Sequence, residues 1–361
     1  RHRKGPDRAL SCVVPLTPVA CFYSAPLARF CSDVDTEYLQ DVVHRKSDPY
    51  RTFKLAKRGK ANVRPRPSRK HRWICVPEPM LMQAQRWIAQ NILNAVTPHE
   101  ACHAFTLKRD LVGAAKKHLQ ARWLVKLDIR RFFESIPEKS VYFVFRRLGY
   151  PALLSFQFAR LCTRVRRGDL IGKISRERVR SLPIRPRVPG HLPQGAPTSP
   201  MLANLAVAIL DDHLSAIGRG HGWTYTRYAD DLAFSRIEDT NRGSAVTLVK
   251  LVEFALFDFG FVPHSAKTSI ASPGARKVLL GTLVDRERPR LTRSFRNNLE
   301  THLYAMTNDG IGPAAHVRRR GFTSMIGLRR HVAGLLAFAH QVDPIYAAKQ
   351  YAKFNLIDWS K

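Results

Sequence analysis

The stretch WTYTRYADDLAF, residues 223–234, decides the reading of this chain. Two short apolar and aromatic runs, Trp223 to Tyr228 and Leu232 to Phe234, flank Ala229, Asp230 and Asp231. Runs of this kind around a short break predict a β-hairpin with two carboxylates at its tip. Adjacent acids repel each other and gain nothing from packing. They fit a cation site, where a bound divalent ion reverses the local charge cost. Taken alone, the pair reads more readily as a solvated Asp-rich turn, because Asp is a common turn residue.

Two further segments separate these readings. In LVKLDIRRFF, residues 124–133, Asp128 directly follows an apolar run that reads as a buried strand, Trp123 to Asp128. A carboxylate at the end of a core strand is costly unless it has a partner. As a single residue, Asp128 also suits a helix N-cap or an ion pair. With Asp230 and Asp231 it completes a set of three carboxylates from two β elements, which can hold hard cations through oxygen. Between them lies HLPQGAPTSPMLAN, residues 191–204. Its prolines fix the loop, Gly195 allows close backbone approach to a ligand, and Ser199 and Pro200 predict the N-cap and first position of a helix over Pro200 to Ile217.

Bulk properties point the same way. The 361 residues suffice for two or three subdomains, and a 45% hydrophobic content excludes a disordered chain. Lys and Arg number 60 against 28 Asp and Glu, a formal charge of +32. A folded chain this self-repelling calls for a polyanionic partner, nucleic acid before membrane. The most apolar stretch, Met201 to Leu210, is too short to span a bilayer, so no membrane partner is expected. Leu10 to Ala28 loosely resembles a secretory leader, but Pro15, Pro18 and Pro26 interrupt it. Six cysteines without CxxC pairing suit reduced thiols and a cytoplasmic location. Basic residues crowd into Lys54 to Arg72 and Arg164 to Arg187, read as phosphate-contacting loops or ribbons. Helices are expected over Met82 to Asn94, Ser244 to Phe259 and Leu328 to His340, giving a mixed α+β chain with a helical C-terminal part.

A strand-end acid, then QGAPTSP, then YADD, in that order, resembles the reverse transcriptases. The forms LPQGAPTSP and RYADDL are most similar to the bacterial retron-type enzymes. The resemblance spans roughly Pro49 to the C-terminal residues and implies an α+β right-hand polymerase. It would have an N-terminal extension (1–48), fingers and an antiparallel-sheet palm (49–285), and a helical thumb (286–361). It implies Asp128 and Asp230 as the main ligands of two Mg2+ ions, or Mn2+, with Asp231 beside them. Phe133 matches the bulky gate that selects deoxyribose. Gln194 and Gly195 match the loop lining the incoming nucleotide. Arg72, helped by Lys70 or Lys57, matches the grip on the triphosphate, and Lys267 the group that approaches the leaving pyrophosphate as a general acid. Tyr228 would lie near the primer end and Gly281 in the primer-grip hairpin.

The implied function is RNA-directed DNA polymerisation by two-metal nucleotidyl transfer. A cognate structured RNA would be copied into RNA-linked single-stranded DNA (msDNA) in antiphage defence. The implied partners are that RNA and its DNA product, dNTPs and an effector protein. The chain departs from the pattern at three places. Ala114 stands where retron enzymes usually have the Asn of an NAxxH motif, here Ala114 to His118. Leu279-Leu280-Gly281 stands in place of a VTG triplet, and His264 replaces a frequent Asn. The first two of these departures leave open a defence-associated reverse transcriptase without a branched product. A rival of another class is a catalytically inactive RNA-binding protein with the same fold.

Overall fold

A computed structural model describes residues 35–56, 71–165, 190–308 and 310–359. The N-terminal segment and most of both basic runs, Lys57 and Lys70 included, lie outside these residues. The elements run α1 (Thr36–Val43), β1 (Tyr50–Ala56), β2 (His71–Pro77), α2 (Pro79–Asn91), α3 (Leu111–Lys116) and β3 (Trp123–Asp128). There follow α4 (Glu138–Arg147), α5 (Ala152–Cys162), α6 (Ser199–Ala206), α7 (Ala208–Gly220), β4 (Thr224–Tyr228), β5 (Asp231–Arg236) and α8 (Arg242–Asp258). The chain continues through β6 (Ser269–Ala271), β7 (Val278–Leu279), β8 (Thr282–Leu283), β9 (Arg290–Leu291), α9 (Arg293–Thr307), α10 (Gly312–Arg320), α11 (Met325–Val342) and α12 (Pro344–Asn355). Helices mixed with antiparallel sheets make the fold α+β.

These elements form two interleaved units. The first draws its described residues from Arg1–Leu107, Ile129–His213 and Leu256–Val262. Its two-stranded ribbon pairs β1 with β2 antiparallel, Phe53 opposite Ile74 and Leu55 opposite Arg72. Helices α2 and α4 to α6 supply a core with Leu81, Ile88, Phe145 and Leu202. Buried polar groups tie it together: Gln85 Nε2 donates to Leu161 O at 2.7 Å, and Asn204 Nδ2 to Ala104 O at 2.8 Å. Arg164 grips Asp48 through two 2.7 Å bonds, and its Nη1 lies 3.1 Å from Cys75 Sγ. It was expected among phosphate-contacting cations, but the first residue of that run is a half-buried structural anchor.

The second unit comprises Lys108–Asp128, Leu214–Ala255 and Pro263–Lys361. Its four-stranded antiparallel sheet has the order β4-β5-β3-β6. In β3 all residues but Lys126 are buried, as a strand flanked on both sides requires. A smaller sheet, β7-β8-β9, leads into helices α9 to α12. Those four helices share a core of Leu299, Leu303, Leu328, Val332 and Leu336, ringed by Phe295, Phe338 and Trp359. Their ends carry caps: Thr292, Ser324 and Asp343 accept from the backbone N–H of Phe295, Gly327 and Tyr346, and Gly321 ends α10 with φ 69°.

One expected helix differs. Pro200 to Ile217 is two helices meeting at 52° around Val207, and the N-cap is Thr198, without a side-chain cap bond. Ser199 instead donates from Oγ to Pro193 O at 2.7 Å, tying the helix to the loop before it. Among the described residues no single helix is long and apolar enough to cross a membrane. The bent α6–α7 pair passes by length and composition, and six of the eight residues of α6 are buried in the first unit.

Candidate active site

The hairpin predicted from WTYTRYADDLAF is present. Tyr228 pairs with Asp231, leaving Ala229 and Asp230 as a two-residue turn. Ala229 has φ 56°, the left-handed conformation that a tight hairpin demands at a central position and that costs a non-glycine about 1 kcal/mol. Asp230 therefore stands at the tip, and Asp231 opens β5.

The central strand brings the third acid alongside. In the β3–β5 register Asp128 lies directly opposite Asp231, and Lys126 opposite Ala233. Side chains alternate across a pleated sheet, so Asp128, Lys126, Asp231 and Ala233 share one face. The chain then returns to the same strand end. His264 N donates to Asp128 O at 2.7 Å, and a single 3-10 turn, Ser265–Lys267, places Lys267 Nζ in an ion pair with Asp128 Oδ2.

This crowding is electrostatically costly. Asp231 is pushed up to about 6, first by loss of water on its protein side, then by the charges of Asp230 and Asp128. Lys267 and Lys126 pull it the other way. The Asp231 side chain stays open to solvent on its outer side. The Lys126 amine is lowered by burial despite Asp231, and donates to Val278 O of β7 at 3.0 Å. Lys126 was missed from the sequence, although a lone charge in an apolar strand, two residues before the acid, is the signal that identifies it.

Three clustered carboxylates are the donor set that hard divalent cations take. As the side chains stand, no group of three or more His, Cys, Asp or Glu among the described residues is spaced around a common point. The Lys267 ammonium sits on Asp128 instead. The residues fit a divalent ion in chemistry and in charge, with one carboxylate engaged by an internal cation.

The other expected site residues lie in the first unit, apart from Lys70, Tyr228 and Gly281. Gln194 O accepts from Cys75 N at 2.7 Å, docking the loop on β2, the strand that carries the exposed Arg72. Gly195 has φ 116°, and a Cβ there would lie 2.9 Å from Cys75 O and Ile74 Cγ2, so only glycine fits. Phe132 is buried, while Phe133 is half-buried between Phe132 (ring centroids 5.5 Å) and Phe105 (6.3 Å). Lys70 lies outside the described residues. In the second unit Tyr228 ends β4 beside Asp231. Gly281 (φ 87°) follows Leu280 (φ 47°) in the β7–β8 turn, the positive pair of a type I′ turn.

Comparison with known proteins places this arrangement. Residues 57–284 match the family model described as reverse transcriptase (RNA-dependent DNA polymerase). The retron Mx162 reverse transcriptase of Myxococcus xanthus is 32% identical over 286 residues, covering 76% of this chain and 55% of that enzyme. The retron Ec86 reverse transcriptase of Escherichia coli is 26% identical over 299 residues, covering 81% of this chain and 80% of that enzyme. The retron Mx65 reverse transcriptase of Myxococcus xanthus is 29% identical over 291 residues, 77% of this chain and 60% of its own length. The chain thus spans between half and two thirds of the two Myxococcus relatives. It belongs to the reverse transcriptase family, and its relatives make it one of the retron type.

Proposed function

We propose that this chain is a right-hand RNA-directed DNA polymerase that copies a cognate structured RNA by two-metal nucleotidyl transfer. The observation that carries the reading is the facing of Asp128 and Asp231 on adjacent strands, with Asp230 at the turn. Like charges opposed across strands destabilise a sheet unless a cation joins them. Asp128 and Asp230 would hold divalent ions, Asp231 supporting them, and Lys267 would leave Asp128 to face the leaving group. Magnesium, when bound, supplies charge stabilisation to the attacking and leaving oxygens of phosphoryl transfer. The chain's own residues would do the rest: Gln194 and Gly195 shape the nucleotide loop, Phe133 excludes a ribose 2′-hydroxyl, and Arg72, with Lys70 beside it in sequence, holds phosphate. Tyr228 and Gly281 would border the primer. In this reading 49–285 are fingers and palm and 286–361 the thumb.

The test is dNTP incorporation on a primed RNA template. Asp128→Asn and Asp230→Asn are each expected to cut Mg2+-dependent incorporation by more than roughly a hundredfold. Full activity in both variants would refute the site and would favour the RNA-binding reading.

In this reading the product is msDNA copied from an RNA encoded nearby, made in the cytoplasm in antiphage defence with an effector protein; what supports it is the likeness to enzymes named retron reverse transcriptases. Ala114 and the Leu279-Leu280-Gly281 triplet favour a second reading, a defence-associated enzyme without branched product. Sequencing the nucleic acid that copurifies with the chain separates them: a branched RNA–DNA hybrid supports the first, unbranched DNA the second.

A further inference from the structure

His118 follows α3 in the turn that leads into β3, its N–H donating to Ala115 O at 3.0 Å. Its side chain is fully buried. Both ring nitrogens are engaged: Nδ1 lies 2.7 Å from Ser235 Oγ, and Nε2 lies 2.7 Å from Thr226 Oγ1. Each hydroxyl can donate or accept, so either neutral tautomer satisfies both contacts. Thr226 belongs to β4 and Ser235 to β5, the two strands of the acid-bearing hairpin. Thr226 pairs with Ala233, and Ser235 with Thr224. One imidazole therefore bridges a diagonal between the strands.

The face it bridges is the face of the acids. Alternation puts Ser235, Ala233 and Asp231 on one side of β5, and the β3 register continues that side through Leu124, Lys126 and Asp128. Ala115, Leu124, Ala233, Leu279 and Val284 pack between as an apolar cluster. The imidazole thus stands at the inner end of a face whose outer end carries the carboxylates, four residues along β5, about 13 Å at 3.3 Å per residue.

Strand β4 has particular need of such an anchor. It is five residues long and, among the described residues, lies at the sheet edge and pairs only with β5. A slip of one residue would turn every side chain to the opposite face. The turn it feeds holds Ala229 in a strained conformation, which persists only where the surroundings enforce it.

We infer that His118 is a positioning residue, its imidazole stapling β4 to β5 so that the Tyr228–Asp231 turn keeps its register against Asp128. This rests on the reading of Asp128 and Asp230 as the polymerase site.

The test compares wild type with His118→Phe, which keeps a ring and removes both bonds, and with Thr226→Val/Ser235→Ala, which removes the bonds from the other side. Two readouts are taken: steady-state dNTP incorporation, and amide hydrogen exchange of the apo protein followed by peptide. In both variants kcat is expected to fall roughly tenfold, with KM for dNTP within about twofold, because a misplaced reacting group costs turnover more than binding. Amides of β4 and β5 exchange faster while those of α11 stay protected. Adding His118→Phe to the hydroxyl pair costs nothing further, since both changes remove the same bonds. Unchanged hairpin exchange overturns the staple. A hairpin loosened without loss of turnover overturns the positioning role. Exchange accelerating equally in α11 assigns His118 to general stability and also overturns it. The exchange measurement does not depend on catalysis, so retained activity in Asp230→Asn would fault the site reading separately from the staple.

Discussion

Phe133 and Phe132 show how adjacent identical residues are given different work. Phe132 is packed against Phe261, ring centroids 6.1 Å apart, and is sealed in the core, whereas Phe133 keeps an accessible edge. The proposed gate needs an accessible edge, and Phe133 alone of the pair has one. Phe133→Val is expected to admit ribonucleotides, raising rNTP over dNTP incorporation by roughly tenfold to a hundredfold, the value of a lost close contact in discrimination. Single-turnover incorporation of each nucleotide checks it, and unchanged sugar selectivity refutes the gate. The three acids were legible because spacing and chemistry agree: charges at a strand end and a turn have no packing reason to be there. Lys126 and His118 were not assigned site roles from the sequence, because the face each serves is set by register. Only the pairing of Lys126 with Ala233, and the diagonal from Thr226 to Ser235, show which face each serves.

At the scale of elements, the hairpin, the strand Trp123–Asp128 and the long helices follow their apolar periodicity. The α6–α7 break does not. Pro200 to Ile217 reads as one helix by pattern, and the 52° bend at Val207 appears only when the chain packs. The C-terminal helices hide another feature that pattern alone does not show. His302 of α9 is buried, its Nδ1 2.9 Å from Nε2 of His316 on α10, with the His331 ring of α11 centred 5.3 Å away. Burial first, then His316, Arg320 and His331, hold His302 down to about 4. The folded form therefore keeps this imidazole neutral where the unfolded chain, near 6.5, takes up a proton. Stability conferred by the neutral contact is complete above about pH 6.5 and falls as the pH drops toward 4. The loss is on the order of 2 kcal/mol. Thermal melts at pH 7 and pH 4.5 are expected to differ less in His302→Leu than in wild type. Equal differences in both would remove His302 as the cause.

For the whole molecule, charge is the dominant property. Internal acids neutralise only part of the cationic surface: Arg164 and Arg45 are engaged by Asp48 and Glu138, while Arg318, Arg319, Arg320, Arg329 and Arg330 are exposed. With a formal +32, RNA affinity is expected to drop steeply with salt, by about a thousandfold or more between 50 and 200 mM if six or more phosphates are contacted. A filter-binding titration across that range checks it, and a flat salt response would refute electrostatic RNA binding. The order β4-β5-β3-β6 carries a consequence for how the chain is made. Strand β3 leaves the ribosome first, yet Trp123 pairs with Arg236, which is 113 residues later (236 − 123). At 5–20 residues per second, a buried apolar strand waits about 6–20 s for its neighbour. Until then Trp123, Leu124, Val125 and Leu127 are an unpaired template for any other strand. The yield of active protein is therefore expected to depend, during synthesis, on what shields one six-residue segment before Asp128 can meet Asp231.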